Sequence, residues 1–164
     1  MDIDILIDTP AWEATPLETL APKVFDATLD DLGLEPTQFS ASILACDDAR
    51  IATLNADFRG KAQPTNVLSW PSENRYTRSG EMPLLPPPHP VGPPLELGDI
   101  ALSHGALTRE AAAAGIPFEH HLAHLLAHGL LHLLGFDHIT DPDAELMEGI
   151  ETRVLARLGI PDPY

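Results

Sequence analysis

The segment His128-Gly-Leu-Leu-His132-Leu-Leu-Gly135-Phe-Asp-His138 constrains this chain more than any other. An apolar run carrying two histidines four residues apart reads as a helix, because positions i and i+4 share one face with Cβ atoms about 5–6 Å apart. Both imidazoles can then reach a single ion. Gly135 sits where a helix commonly ends in a left-handed cap, a backbone state that costs glycine little. Beyond it the chain can fold back and bring His138 to the same point. Three neutral nitrogen donors, with a fourth position left for water, are the arrangement of a catalytic zinc site rather than a closed structural one. A single histidine on an apolar helix face is ordinarily a satisfied core residue. The triple spacing with the glycine reverses that preference.

The same spacing resembles the three-histidine pattern of metzincin proteases, with one departure. Those enzymes carry Glu directly after the first histidine as general base. Here that residue is Gly129, which can do no acid–base chemistry. The metal ligands are retained and the peptidase base is absent.

With 164 residues the chain is read as one domain over 1–164, large enough to bury a core without disulfides. Its one cysteine, Cys46, lies among apolar residues, which suits an inert thiol in a reducing cytoplasm. The start of the chain lacks the basic, then apolar, pattern of a secretory leader, and no stretch approaches membrane-spanning length. A soluble cytoplasmic protein is expected, with no membrane partner. The net charge of −16 argues against general DNA or RNA binding by bulk charge. Charge is local, however. Arg59, Lys61, Arg75 and Arg78 fall in one short stretch against a single acid, Glu73. For Arg75 and Arg78 a solvated surface loop is an equal reading.

Periodicity outlines the elements. Ile3, Ile5 and Ile7 alternate with polar neighbours, the pattern of a half-buried strand. Apolar residues between Thr15 and Leu32 recur at helical spacing, with Pro22 inside as a candidate kink. Further strands are predicted over 39–46, 64–71 and 96–103, the second of these bounded by prolines as suits a sheet edge. Helices are predicted over 48–59, 107–114, 117–134 and 141–158. Residues 72–95 are proline-rich and read as an exposed loop with polyproline character, His89 among them and not a ligand. The fold class is α+β: about four strands in a mixed sheet, packed with about five helices. The candidate metal site lies on a central helix and the turn after it.

The histidine segment resembles the signature of the YbeY family, bacterial metal-dependent endoribonucleases that act in ribosomal RNA maturation. Leu54-Asn-Ala-Asp-Phe-Arg59, Pro64-Thr-Asn-Val-Leu-Ser-Trp-Pro71 and Leu97-Gly-Asp-Ile-Ala-Leu-Ser103 are similar to it in the same order. The resemblance spans most of the chain from Ile43 to Leu158. It implies one Zn2+ held by His128, His132 and His138, with Arg59 as the basic catalytic residue beside the metal. It further implies single-stranded RNA as substrate, with ribosomal RNA precursors cut in 16S 3′-end maturation and ribosome quality control. Ribosomal proteins are the implied partners, and DNA is not. Two departures stand out: Asn66 where the family often has Asp, and Trp70 where it has Phe.

A zinc ion would polarise a phosphoryl oxygen, and Arg59 can clamp a phosphate through two hydrogen bonds. Taken alone, Arg59 reads as a helix-terminal surface charge. Asp137 could orient a ligand imidazole or simply form the turn, and His124 could pack beside the ligands or replace His138. His120 and His121 are expected to face solvent. Asp99 is either structural or part of the cleft. Trp70 and Tyr76 are candidate stacking platforms for unpaired bases. Two other functions compete: a zinc peptidase with an unrecognised base, and a non-catalytic acidic factor in ribosome assembly.

Overall fold

The alternating isoleucines form the first strand, β1 (Asp2–Ile7), with Ile3, Ile5 and Ile7 half-buried and the aspartates exposed. In the computed structural model, which describes residues 1–164, β2 (Phe39–Cys46), β3 (Val67–Pro71) and β4 (Leu95–Ser103) complete one sheet. Its order is β1-β2-β4-β3. β1, β2 and β4 run parallel, and β3 lies antiparallel to β4 at the edge. An edge tolerates Pro71, whose nitrogen cannot donate to a ladder.

Five helices surround this mixed sheet: α1 (Leu17–Asp31), α2 (Asp48–Arg59), α3 (His104–Ala114), α4 (Phe118–Leu133) and α5 (Asp141–Arg157). The architecture is α+β, as the periodicity predicts. The larger core, with Phe25, Ile100, Leu126, Leu130 and Val154, joins one sheet face to α1, α4 and α5. A smaller cluster of Cys46, Ile51, Leu68 and Ala101 sits under α2. α4 is the central helix, and its buried residues occupy every side but one. The remaining side carries His121, His124, His128 and His132 in one row.

Several local expectations change. α1 runs unbroken through Pro22, held by the burial of Ala21, Val24 and Phe25 on either side; tertiary packing overrides propensity there. α3 begins at His104 rather than Leu107 because Ser103 caps it. Residues 72–94 hold no helix or strand, yet this segment is not a free exposed linker. Arg75, Pro83 and Pro86 are buried, and the Leu84 N–H closes a turn onto the Arg75 carbonyl at 2.9 Å. The turn is docked on the start of α5. Asp143 accepts from the Gly80 N–H and from the Tyr76 hydroxyl, each at 2.8 Å.

Candidate metal centre

α4 ends in a Schellman motif. The Phe136 N–H donates to the Leu131 carbonyl at 3.0 Å and the Gly135 N–H to the His132 carbonyl at 3.1 Å. Gly135 has φ of 102°, a state that side chains rarely adopt. A Cβ there would also lie 2.6 Å from Arg75 Cβ and 2.8 Å from Pro83 Cβ, so the docked loop requires glycine too.

The reversed chain places the Phe136 carbonyl against His132, whose Nδ1 donates to it at 3.0 Å. A carbonyl only accepts, so this hydrogen bond assigns the proton to Nδ1 and leaves Nε2 as a lone-pair donor. On the opposite side His128 Nδ1 lies 2.8 Å from Oε1 of Glu151, a fully buried carboxylate on α5. Burial pushes the Glu151 carboxyl upward, but hydrogen bonds from His124 and His128 outweigh it and hold it down at about 2. Ionised, it accepts from His128 and fixes the same tautomer.

The two Nε2 atoms then face each other at 3.0 Å. Two lone pairs at that separation repel, and a shared cation removes the repulsion. His138 arrives from the turn, its ring 5.4 Å from His128 and 5.1 Å from His132 between centroids. One donor nitrogen from each of the three lies within 4.8 Å of the other two. Three neutral imidazoles are a donor set suited to zinc and its first-row neighbours. The cluster could hold a metal ion.

Burial, and then the charge on His128, pull His132 down to about 4 from its ordinary 6.5. Without metal, the unfolded chain therefore binds more protons than the folded one between those values. Stability falls as pH drops through that window. Chelator-treated protein is expected to have lost roughly 3 kcal/mol of unfolding free energy through this group once the pH is below that window. Denaturant titrations across the window check it, and His132→Gln should remove that part of the slope.

The histidines open into a cleft of about 400 Å³ that Arg59, Asn66, Ser69, Asn74, Arg75 and Tyr76 also line. Arg59 ends α2, so a residue remote in sequence reaches the same cleft as the triad. Trp70 does not. Side chains alternate along β3, and with Ser69 in the cleft, Trp70 points to the other sheet face, where its ring packs 5.2 Å from Phe58. Asp99 lines a groove on that side with Trp70 and Asp4. Asn66 donates to Glu110 at 3.1 Å and accepts from the Val67 N–H at 2.7 Å, so both ends of its amide hold the start of β3. Asp137 accepts from the His138 N–H at 2.8 Å and is turn-forming. His121 is mostly buried against Glu110 at 2.8 Å rather than solvated. His124 bonds Glu151 at 3.2 Å and does not replace His138. Burial pushes the Cys46 thiol up to about 12, which leaves it inert.

Gly129 is buried, and a Cβ there would lie 3.1 Å from Ile100 Cδ1. The position that carries the base in the protease pattern is packed against the sheet.

Glu151 is the residue that sequence reading missed. Its signal was present: it interrupts the apolar stripe Met147, Ile150, Val154 and Leu155 that buries α5. An acid on such a face needs a buried partner.

Fold and site together define a class: an α+β protein with a three-histidine candidate metal centre at the base of a polar cleft. The chain belongs to the YbeY endoribonuclease family. That family, described as Endoribonuclease YbeY, matches residues 4–159. A protein of that name from Jannaschia sp. (strain CCS1) is 59% identical over 100% of both chains. Another from Dinoroseobacter shibae is 55% identical over 99% of this chain and 90% of its own. The solution structure of TM1509 from Thermotoga maritima is similar in fold, with a TM-score of 0.57 at 22% identity. The match covers 96% of this chain and 91% of that one.

Proposed function

We propose that the chain hydrolyses single-stranded RNA at the histidine cleft, using zinc held by His128, His132 and His138, and that ribosomal RNA precursors are its substrates. The observation that carries this reading is the pair of Nε2 atoms 3.0 Å apart, each deprotonated by the partner of its own Nδ1. Family membership supplies the reaction class.

A bound zinc ion supplies a Lewis acid for a phosphoryl oxygen and a water of lowered pKa. The remaining work falls to the chain. Arg59 grips non-bridging phosphate oxygens and offsets the charge that grows in the pentacoordinate transition state. Glu151 and the Phe136 carbonyl keep His128 and His132 aimed. Tyr76, its hydroxyl tied to Asp143, offers a fixed ring face on which an unpaired base stacks. Arg75 is paired with Glu73 at 3.3 Å, which leaves Arg59 as the arginine of the cleft with no ion-pair partner, the one able to meet a phosphate in a chain of net charge −16. The acidic remainder suits docking on basic ribosomal proteins, which would deliver the RNA. On this reading the protein acts in 16S 3′-end maturation and ribosome quality control, in the cytoplasm. No helix is long and apolar enough to cross a membrane.

The test is cleavage of a 5′-labelled single-stranded RNA with zinc, with chelator, and after zinc is restored. Cleavage should stop and return. Arg59→Ala should cut at least about 100-fold more slowly, with zinc affinity unchanged, since it acts on the phosphate and not the metal. RNA left intact by the zinc-loaded protein under every condition, or wild-type cleavage by Arg59→Ala, would count against the reading.

A further inference from the structure

We infer that Glu151 is a positioning residue for His128 and that Tyr164, closing over it with His124, sets how tightly the histidine cluster holds its metal. The inference rests on the metal reading above. It concerns residues that never touch the ion.

Glu151 reaches from α5 beneath α4 with a side chain fully removed from solvent. Its Oε1 takes the His128 Nδ1 hydrogen at 2.8 Å and a longer bond from His124 Nε2 at 3.2 Å. Its Oε2 takes the hydroxyl of Tyr164 at 2.8 Å. Every hydrogen bond on this carboxylate therefore comes from the metal side or from the tail after α5. The Tyr164 hydroxyl, having given its proton to Glu151, is left with lone pairs. His124 Nε2 lies 3.1 Å from it and can share its hydrogen between the two oxygens. The His124 and Tyr164 rings meet edge to face at 5.3 Å, which fixes their mutual angle.

A carboxylate bonded this way cannot rotate without breaking all three contacts. A ligand imidazole donating to it is held in tautomer and in ring orientation together. Tyr164 is the informative member. It is 61% exposed, so its ring is not part of the core, and removing its hydroxyl takes away the donor to Glu151 Oε2 at a modest cost in stability. Its loss should leave a folded, somewhat less stable protein and still move metal affinity.

The experiment compares zinc affinity by chelator competition, and the visible spectrum of the cobalt-substituted protein, for wild type, Glu151→Gln and Tyr164→Phe. Glu151→Gln keeps the volume and removes the charge; affinity should fall about 10–100-fold. Tyr164→Phe should fall about 3–10-fold, with an altered cobalt spectrum, while the metal-free protein stays folded with a modestly lower melting temperature. If Glu151→Gln does not fold, Tyr164→Phe carries the test alone. Wild-type affinity and spectrum in the folded variants would overturn the positioning role while leaving the metal site intact. A wild type that binds neither zinc nor cobalt would overturn both.

Discussion

His132→Ala is expected to lower RNA cleavage by about 1000-fold or more, because a site with two donors cannot keep a catalytic ion at working concentrations. His132 is the candidate ligand held most firmly by its surroundings. Its Nδ1 is bonded to the Phe136 carbonyl at 3.0 Å, and burial keeps the ring neutral. Truncation also strands that carbonyl, at a cost of about 1–3 kcal/mol. Loss of activity alone could then reflect a weakened fold. His138→Ala separates the two effects. His138 is exposed in the turn, so its removal should abolish cleavage as thoroughly while leaving metal-free stability near wild type. Zinc gives a second readout. At about 100 times its dissociation constant it should stabilise wild type by roughly 2.7 kcal/mol and both variants hardly at all. Cleavage by His132→Ala at the wild-type rate would move the activity away from this cleft. With Arg59→Ala, which should keep zinc and lose rate, these variants divide metal binding from phosphate handling.

What could be read directly from the residues is what is local. The four-residue offset of His128 and His132, and the glycine that reverses the chain, are properties of one helix and its cap, and the Schellman hydrogen bonds follow from them. Alternation identified β1, and flanking prolines placed β3 at an edge. Contacts across long separations were not legible. Nothing in 72–94 announces that Asp143 will gather Gly80 and Tyr76, because both hydrogen bonds depend on how α5 is positioned. The face of Trp70 turned on strand parity relative to a cleft that only the assembled sheet defines. Glu151 shows the boundary most clearly: its burial could be inferred from the stripe on α5, but its partners required the packing of α5 on α4. Asn66 shows a second limit. Its side chain was legible as a hydrogen-bonding group, while its partner Glu110 sits on a helix brought beside β3 by the fold.

Gly98→Ala is expected to destabilise the protein by about 4 kcal/mol or more, a size reserved for changes the fold cannot absorb. Gly98 lies within β4 opposite Pro71 of β3, at φ of 139°. An alanine Cβ there would sit 2.2 Å from the Trp70 carbonyl oxygen and 3.1 Å from both Pro71 Cα and Leu133 Cδ2. The first of these is backbone within the ladder, so no rotamer change relieves it. Either β3 separates from β4 or Gly98 leaves its backbone state, and the strain alone costs about 1–3 kcal/mol. Gly33→Ala is the control. Its φ of 73° is also positive, but nothing lies within 4 Å of the added carbon, so its cost should stay near about 1–2 kcal/mol. Urea unfolding of the two variants measures the difference, which isolates the close approach from the backbone preference. The consequence reaches the cleft. β3 supplies Val67, Ser69 and Pro71 to its wall, and Leu133 lies one residue after His132 of the candidate metal cluster. The Gly98→Ala molecules that remain folded should therefore bind zinc and cleave RNA less well than folded Gly33→Ala. Equal stability of the two variants would mean that β3 can move away from β4 freely, and the wall of the cleft would then not be set by this pairing.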